Sequence, residues 1–220
     1  MWYNYYVKKL TANFVENYLD SIIESPKSEL QFNSTFELLV AVMLSAQCTD
    51  RRVNIITSKL FPVYNTPEQF AVLSIEELEK YISSCTYYHN KAKNIINASK
   101  DIVDRFGGIV PSTHEDLVSL SGVGNKTANV VQAVAFGQQA FAVDTHILRV
   151  SNRLGMVDTK NPDICERALK KFFDGKEYNK MHHLMLLFGR YYCMSRSPKC
   201  IDCKFSDYCL YKKGDSHVSR

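Results

Sequence analysis

Helix-start signals recur along this chain too densely to leave room for much else. Ser34-Thr-Phe-Glu37, Ser74-Ile-Glu-Glu77 and Ser112-Thr-His-Glu115 each place a hydroxyl three residues before a carboxylate, ahead of an apolar segment. In that spacing each side chain satisfies a backbone N–H the helix would otherwise leave unpaired. Thr66-Pro67 adds a cap followed by proline at the first helical position, where a missing N–H costs nothing. Phe36, Leu39, Val40, Met43 and Leu44 recur on one helical face and read as core. The clearest loops are "RFGGIVPS" from Arg105 and "LGMVDTKNP" from Leu154. Alternating apolar–polar runs joined by hairpin turns are scarce, so the expectation is an all-α fold.

The 220 residues suffice for one large domain or two small ones. A net charge of +4 suits a polyanionic partner without demanding one. The longest apolar run, around Leu38 to Leu44, is too short to span a bilayer. The opening "MWYNYYVKKL" lacks the layout of a secretory signal. The chain therefore reads as a cytoplasmic protein in a reducing compartment, where its seven cysteines are not a disulfide framework.

In "LSGVGNKTA", Leu120 to Ala128, two glycines stand close before Lys126. A dinucleotide fingerprint would need glycine at Thr127 and a strand in front; a P-loop would need glycine directly before the lysine, where Asn125 stands. Both readings fail. The segment reads instead as a turn between a helix running from Pro111 to about Leu120 and another from about Asn125 to Gly137. That second helix has Ala128, Val131 and Ala135 on its buried stripe. Gly122, Val123 and Gly124 would then offer bare backbone N–H groups at a helix N-terminus, a place for a nucleic-acid phosphate or simply a helix connection. Lys126 in the first turn sits at the unfavourable end of the helix dipole. A neutral amine there would be a nucleophile; a solvated surface lysine is the plainer alternative.

Cys193, Cys200, Cys203 and Cys209 follow the spacing C-x6-C-x2-C-x5-C. Four thiolates so close together read as a metal site, and the absence of paired C-x2-C motifs favours a [4Fe–4S] cluster over zinc. The loop carries Arg196, Lys199 and Lys204, cations suited to a phosphate backbone. Cys48, Cys85 and Cys165 read as ordinary buried or half-buried thiols.

Taken together, "LSGVGNKTANVV", "AVDTHILRV" and "HHLMLLFGRYYC" running into the four-cysteine loop resemble the bacterial endonuclease III family. These are helix-hairpin-helix DNA glycosylases with an iron–sulfur cluster. "LSAQCTDRRVN" and "NKAKNI" match as well, so the resemblance spans roughly Phe36 to Cys209. It implies a bifunctional glycosylase and abasic-site lyase acting, as a monomer, on oxidised pyrimidines in damaged double-stranded DNA. It implies that Lys126 attacks C1′ and forms a Schiff base, that Asp144 assists, and that the four cysteines hold the cluster. An N-cap role for Asp144 is compatible with this; His146 reads as structural.

By the same resemblance Gln47 or Tyr87 would fill the gap left by a flipped base. Tyr87 stands where relatives often carry leucine. Ser121 replaces the proline usual before the first glycine. The expected architecture is two helical lobes facing a DNA-binding cleft where Lys126 and Asp144 meet. Residues 28–138 would form one lobe; 1–27 with 139–220 would form the cluster-bearing other. A monofunctional mismatch glycosylase of the same superfamily and a non-catalytic hairpin DNA-binding protein are the alternatives.

Overall fold

The computed structural model describes residues 10–214 of the chain. Among them there is no strand. In chain order the helices are α1 (Ala12–Ile22), α2 (Thr35–Ser45), α3 (Asp50–Leu60), α4 (Pro67–Ala71), α5 (Ile75–Ile82), α6 (Tyr88–Phe106), α7 (His114–Val118), α8 (Asn125–Phe136), α9 (Thr145–Arg153), α10 (Pro162–Phe172) and α11 (Tyr178–Tyr191). The all-α expectation is met. The chain divides into two units: Ser28–Ala140, and the chain up to Lys27 together with the chain from Phe141 onward.

In the unit Ser28–Ala140, α2 is the hub. The sequence pattern assigned it one buried face, but every residue from Phe36 to Leu44 is buried. A helix that is apolar all round belongs in a core's interior, and α3, α6 and α8 pack on it. Its one charged residue, Glu37, is satisfied because its carboxylate accepts a bond from the Asn33 N–H at 2.6 Å. The starts of α4 and α5 are full capping boxes, Thr66 with Gln69 and Ser74 with Glu77. Ser34 caps α2.

The third box is displaced by one residue. Thr113, not Ser112, caps α7, accepting from the Asp116 N–H and donating to the Asp116 carboxylate at 2.6 Å. The helix expected from Pro111 to about Leu120 is therefore only His114–Val118. The Ser112 carbonyl is used elsewhere, accepting from the side-chain amides of Gln132 and Gln138.

The other unit packs α1, α9, α10 and α11 around Leu19, Ile147, Val150, Leu184, Phe188 and Phe205. Two close approaches define it. Gly189 of α11 lies against α9: a Cβ there would stand 2.9 Å from the His146 Cβ and 3.1 Å from its carbonyl oxygen. Phe205, in the turns after α11, is fully buried, with edge-on contacts to Tyr18 at 4.8 Å and Phe188 at 5.4 Å. On the rim, Glu16 of α1 pairs with Lys176 at 2.7 Å and Lys180 at 3.2 Å. The hydrogen bond from Lys176 is the main cause holding the Glu16 carboxyl below its ordinary value.

Gly189→Ala must push α9 and α11 apart, and urea denaturation is expected to show a loss of about 1–3 kcal/mol. Because the folded Glu16 carboxyl is the stronger acid, its contribution is complete above the ordinary carboxylate range and vanishes as pH falls through the lowered value. Glu16→Gln is therefore expected to cost about 0.5–1 kcal/mol at neutral pH, with the two urea curves converging in acid.

Candidate active site

The turn between α7 and α8 runs from Ser119 to Gly124. Gly122 has φ of 75°, the left-handed region that favours glycine, and a Cβ there would fall 2.7 Å from the Asn94 Cβ on α6. The neighbouring Ser121 hydroxyl makes a long hydrogen bond, 3.4 Å, to the Asn94 side-chain oxygen. Asn94 thus seats the turn on α6, and Ser121 has a local partner that a proline would lack. Val123 is buried, and its N–H donates within the turn to the Leu120 carbonyl at 3.1 Å, so it is not one of the bare N–H groups expected there.

Gly124 differs from Gly122. Its backbone is extended, and a side chain there would meet nothing within 4 Å. Turn geometry does not require this glycine. As the N-cap of α8 it supplies no side-chain cap, leaving the helix's first N–H groups open. Lys126, exposed, stands in the first turn beside them. On the hairpin's other side His114 contacts Asn125 at 3.3 Å and Gln132 at 3.2 Å, tying the start of α7 to α8.

Gln47 and Tyr87 share an unusual property. Both are exposed, and both hold left-handed backbone, with φ of 54° and 57°. Such a conformation costs a non-glycine residue on the order of 1–3 kcal/mol and concentrates at working sites. Tyr87 is 62% exposed, so its ring stands at the surface and not in the core. Beneath the two loops lies Lys91, itself buried. Its ammonium donates to the Leu44 and Ala46 carbonyls, each at 2.7 Å, and contacts the Cys85 sulfur at 3.0 Å. All three N–H groups are used, joining the end of α2 to the start of α6. The chain between Ala46 and Cys48 carries Gln47, and the chain after Cys85 carries Tyr87.

Asp144 is the N-cap of α9. One carboxylate oxygen accepts from the N–H groups of His146 at 2.9 Å and Ile147 at 2.8 Å. The cap fixes the carboxylate's position and does not engage its second oxygen. Burial lowers the His146 pKa, with Asp144 opposing, so the imidazole is neutral near pH 7. Its Nδ1 pairs with Arg149 at 3.3 Å, a structural role.

The four-cysteine segment leaves the end of α11 over two guanidinium groups, the half-buried Arg149 and the buried Arg153. Arg149 donates to the carbonyls of Gly189 at 2.8 Å and Cys193 at 3.1 Å. Arg153, 1% exposed and stacked over Tyr211, donates to the Met194 and Ser195 carbonyls and contacts the Cys193 sulfur at 3.4 Å. Its Nε has no partner. The Cys203 sulfur receives the Phe205 N–H and lies close to Cys193 and Cys209. Burial pushes the Cys193 and Cys203 thiols up. Among the described residues no three His, Cys, Asp or Glu side chains converge on a single-ion site. The cations of this loop, Arg196, Lys199 and Lys204, are exposed; two of them lie over aromatic rings, Lys199 over Tyr192 and Lys204 over Tyr18. No helix among the described residues is long and apolar enough to cross a membrane.

An all-helical chain with this hairpin defines a class. The model for HhH-GPD superfamily base excision DNA repair proteins matches residues 40–174. The chain belongs to that superfamily and, within it, to the endonuclease III family. It is 46% identical to endonuclease III of Haemophilus influenzae over 188 residues, 86% of this chain and 89% of that one. With the Bacillus subtilis enzyme identity is 47% over 182 residues, covering 82% and 83%. A solved trapped endonuclease III–DNA covalent intermediate superimposes with a TM-score of 0.89 at 41% identity, over 94% of this chain and 99% of that one. A thermostable thymine-DNA glycosylase shares the fold, with a TM-score of 0.78 at 21% identity over 92% and 95%.

Sequence reasoning did not single out Lys91, Asn94, Arg149 or Arg153. Lys91 was discoverable: it falls on the apolar stripe of α6 with Ile95 and Ile102, where a lysine has no business unless partnered. Lys91→Met leaves the buried Leu44 carbonyl and the part-buried Ala46 carbonyl without their charged donor and is expected to cost about 2–4 kcal/mol by urea denaturation. Gly122→Ala should lower the urea midpoint further than Gly124→Ala, since only the former meets both a clash and a left-handed φ.

Proposed function

We propose that this chain is a bifunctional glycosylase and abasic-site lyase that removes oxidised pyrimidines from double-stranded DNA. Lys126 is its nucleophile and Asp144 the assisting carboxylate. The observation that carries this reading is an exposed lysine in the first turn of a helix whose N-terminal N–H groups no side chain caps. An amine so placed is open to a sugar whose phosphate those N–H groups hold. Gly124 keeps the approach clear of side chains.

A base inside a duplex is out of reach, so the damaged nucleotide must swing out. Gln47 and Tyr87, both exposed on strained backbone, supply side chains to occupy the vacated stack. At C1′ the bond to the base breaks, the base leaving with the electron pair and taking a proton. Positive charge develops on the sugar, and the Asp144 carboxylate stabilises it. The Lys126 amine adds at C1′, losing a proton that Asp144 can accept. Ring opening gives the protonated Schiff base. Removal of a C2′ proton then breaks the C3′–O bond, and water releases Lys126.

Cys193, Cys200, Cys203 and Cys209 are the ligands for a [4Fe–4S] cluster. The fit rests on an all-thiol donor set and on the N–H groups aimed at Cys193 and Cys203. When bound, the cluster supplies iron–thiolate bonds that fix the loop. That loop presents Arg196 and Lys199 to phosphates.

Incubation with a duplex bearing thymine glycol, followed by borohydride, should trap a covalent complex that Lys126→Ala abolishes. Base release without trapping would indicate a monofunctional enzyme, and binding with neither would remove the catalytic reading. Protein purified without oxygen should carry iron and acid-labile sulfide. A colourless preparation holding stoichiometric zinc would refute the cluster.

A further inference from the structure

Two thiols that this chemistry does not use meet beneath the loops carrying Gln47 and Tyr87. Cys85 is buried in the core, and Cys48 is half-buried at its edge. Cys48 packs against the core cluster that holds Cys85, close enough for the Cys85 thiol and the Lys91 ammonium both to bear on it. The Cys85 thiol donates to the Leu44 carbonyl at 3.2 Å, and the Lys91 ammonium lies 3.0 Å from the same sulfur. Cys48 directly follows Gln47, and Cys85 precedes Tyr87 by one intervening residue, Thr86. The structure therefore sets two thiols and a fixed cation where the two strained loops approach each other.

We propose that Cys48 and Cys85 form a reversible disulfide on exposure to a hydroperoxide, and that its closure disables capture of damaged DNA. The second half rests on the assignment of Gln47 and Tyr87 to the DNA-facing surface made above. Cys48, the more accessible thiol, reacts first as its thiolate. Its sulfur bonds to one peroxide oxygen, the O–O bond breaks, and the other oxygen leaves and is protonated to water or an alcohol. Cys48 is thereby oxidised to a sulfenic acid. Cys85 then gives up its proton and attacks the Cys48 sulfur; the S–O bond breaks and the hydroxide departs with that proton as water. Two thiols and one hydroperoxide yield one disulfide and two molecules of water, or one of water and one of alcohol. The Lys91 ammonium stabilises the negative charge that develops on the Cys85 sulfur during attack.

Burial and the neighbouring Cys85 push the Cys48 thiol up, with Lys91 opposing. A thiol held protonated in this way reacts slowly, so closure calls for an oxidant load. Closure has a geometric consequence. A disulfide holds its sulfurs about 2.0 Å apart, well inside any hydrogen-bonded separation. The turn from Ala46 to Cys48 must move toward Cys85, and Gln47 moves with it. Cys85 also ceases to donate to the Leu44 carbonyl, and Lys91 loses its thiol partner.

The test uses the intact cluster-bearing protein, treated with equimolar hydrogen peroxide while its visible absorption is followed. Free thiols are alkylated and the peptides identified by mass spectrometry, and affinity is measured for a duplex holding an uncleavable abasic-site analogue. The expected result is a Cys48–Cys85 cross-linked peptide and binding about tenfold weaker, restored by dithiothreitol. Cys48→Ala and, independently, Cys85→Val should retain affinity after peroxide. Complete alkylation of both thiols after peroxide is consumed would overturn the site, and a cross-link with unchanged affinity would overturn the gating. Equal, reducible loss of affinity in the Cys48→Ala protein would assign the effect to other cysteines and refute the proposal. If the reduced protein itself ignores the lesion duplex, that counts against the functional reading above, while the peptide analysis still decides the disulfide.

Discussion

A helix buried on every side has a problem at its end, and in the unit Ser28–Ala140 the solution organises the surface. The last carbonyls of α2 have no helical partners, and the interior around Leu44 offers no water to take them. The Lys91 ammonium, brought in by α6, donates to both Leu44 and Ala46. A cation at a helix C-terminus is favoured by the dipole as well as by the hydrogen bonds. Holding those carbonyls pins the backbone at the point where it leaves the core. That anchorage lets Gln47 persist in a left-handed conformation that an untethered loop would relax.

The other unit meets the same constraint with arginine. The end of α11 is closed by Arg149 on the Gly189 and Cys193 carbonyls, and the chain beyond it by Arg153 on Met194 and Ser195. In both units a buried cation fastens the segment that leaves a packed helix and carries the residues of interest. The choice of cation follows the geometry. Lys91 must reach three acceptors converging on one point, which an ammonium does. Arg149 must span the Gly189 and Cys193 carbonyls, one helical turn apart, and Arg153 those of the successive residues Met194 and Ser195, which suits a planar fork of donors. The Arg153 guanidinium also touches the Cys193 sulfur, so the group that orders the backbone also helps keep that sulfur in place.

Periodicity and capping chemistry were enough to read the helical class from the sequence, because Ser34, Thr66 and Ser74 each satisfy a backbone donor locally. Where two hydroxyls stood side by side the reading slipped: Thr113 takes the cap because Asp116 can bind it twice, and Ser112 is left to distant glutamines. The burial of α2 on all faces was not legible, since a helix does not record how many neighbours it will have. Lys126, Asp144 and the cysteines were legible as motifs, and the Asp144 cap was foreseen from its place before α9. The contacts that hold these loops were not, because Lys91 meets Leu44, and Arg153 meets Cys193, across long sequence separations.

The hairpin shows how one short motif can divide its requirements. Gly122 answers to the fold: φ is positive and Asn94 fills the space where a Cβ would be. Gly124 answers to nothing inside the molecule, since its backbone is extended and its surroundings are open. A residue that packing leaves unconstrained, yet that lacks any side chain at a helix N-terminus, is best explained by something that must come close from outside. Ser121 belongs with Gly122. By bonding Asn94 it helps hold the approach to the turn that a proline would stiffen through its ring. The departure at that position thus falls on the half of the motif that faces the protein, and leaves untouched the half that faces outward.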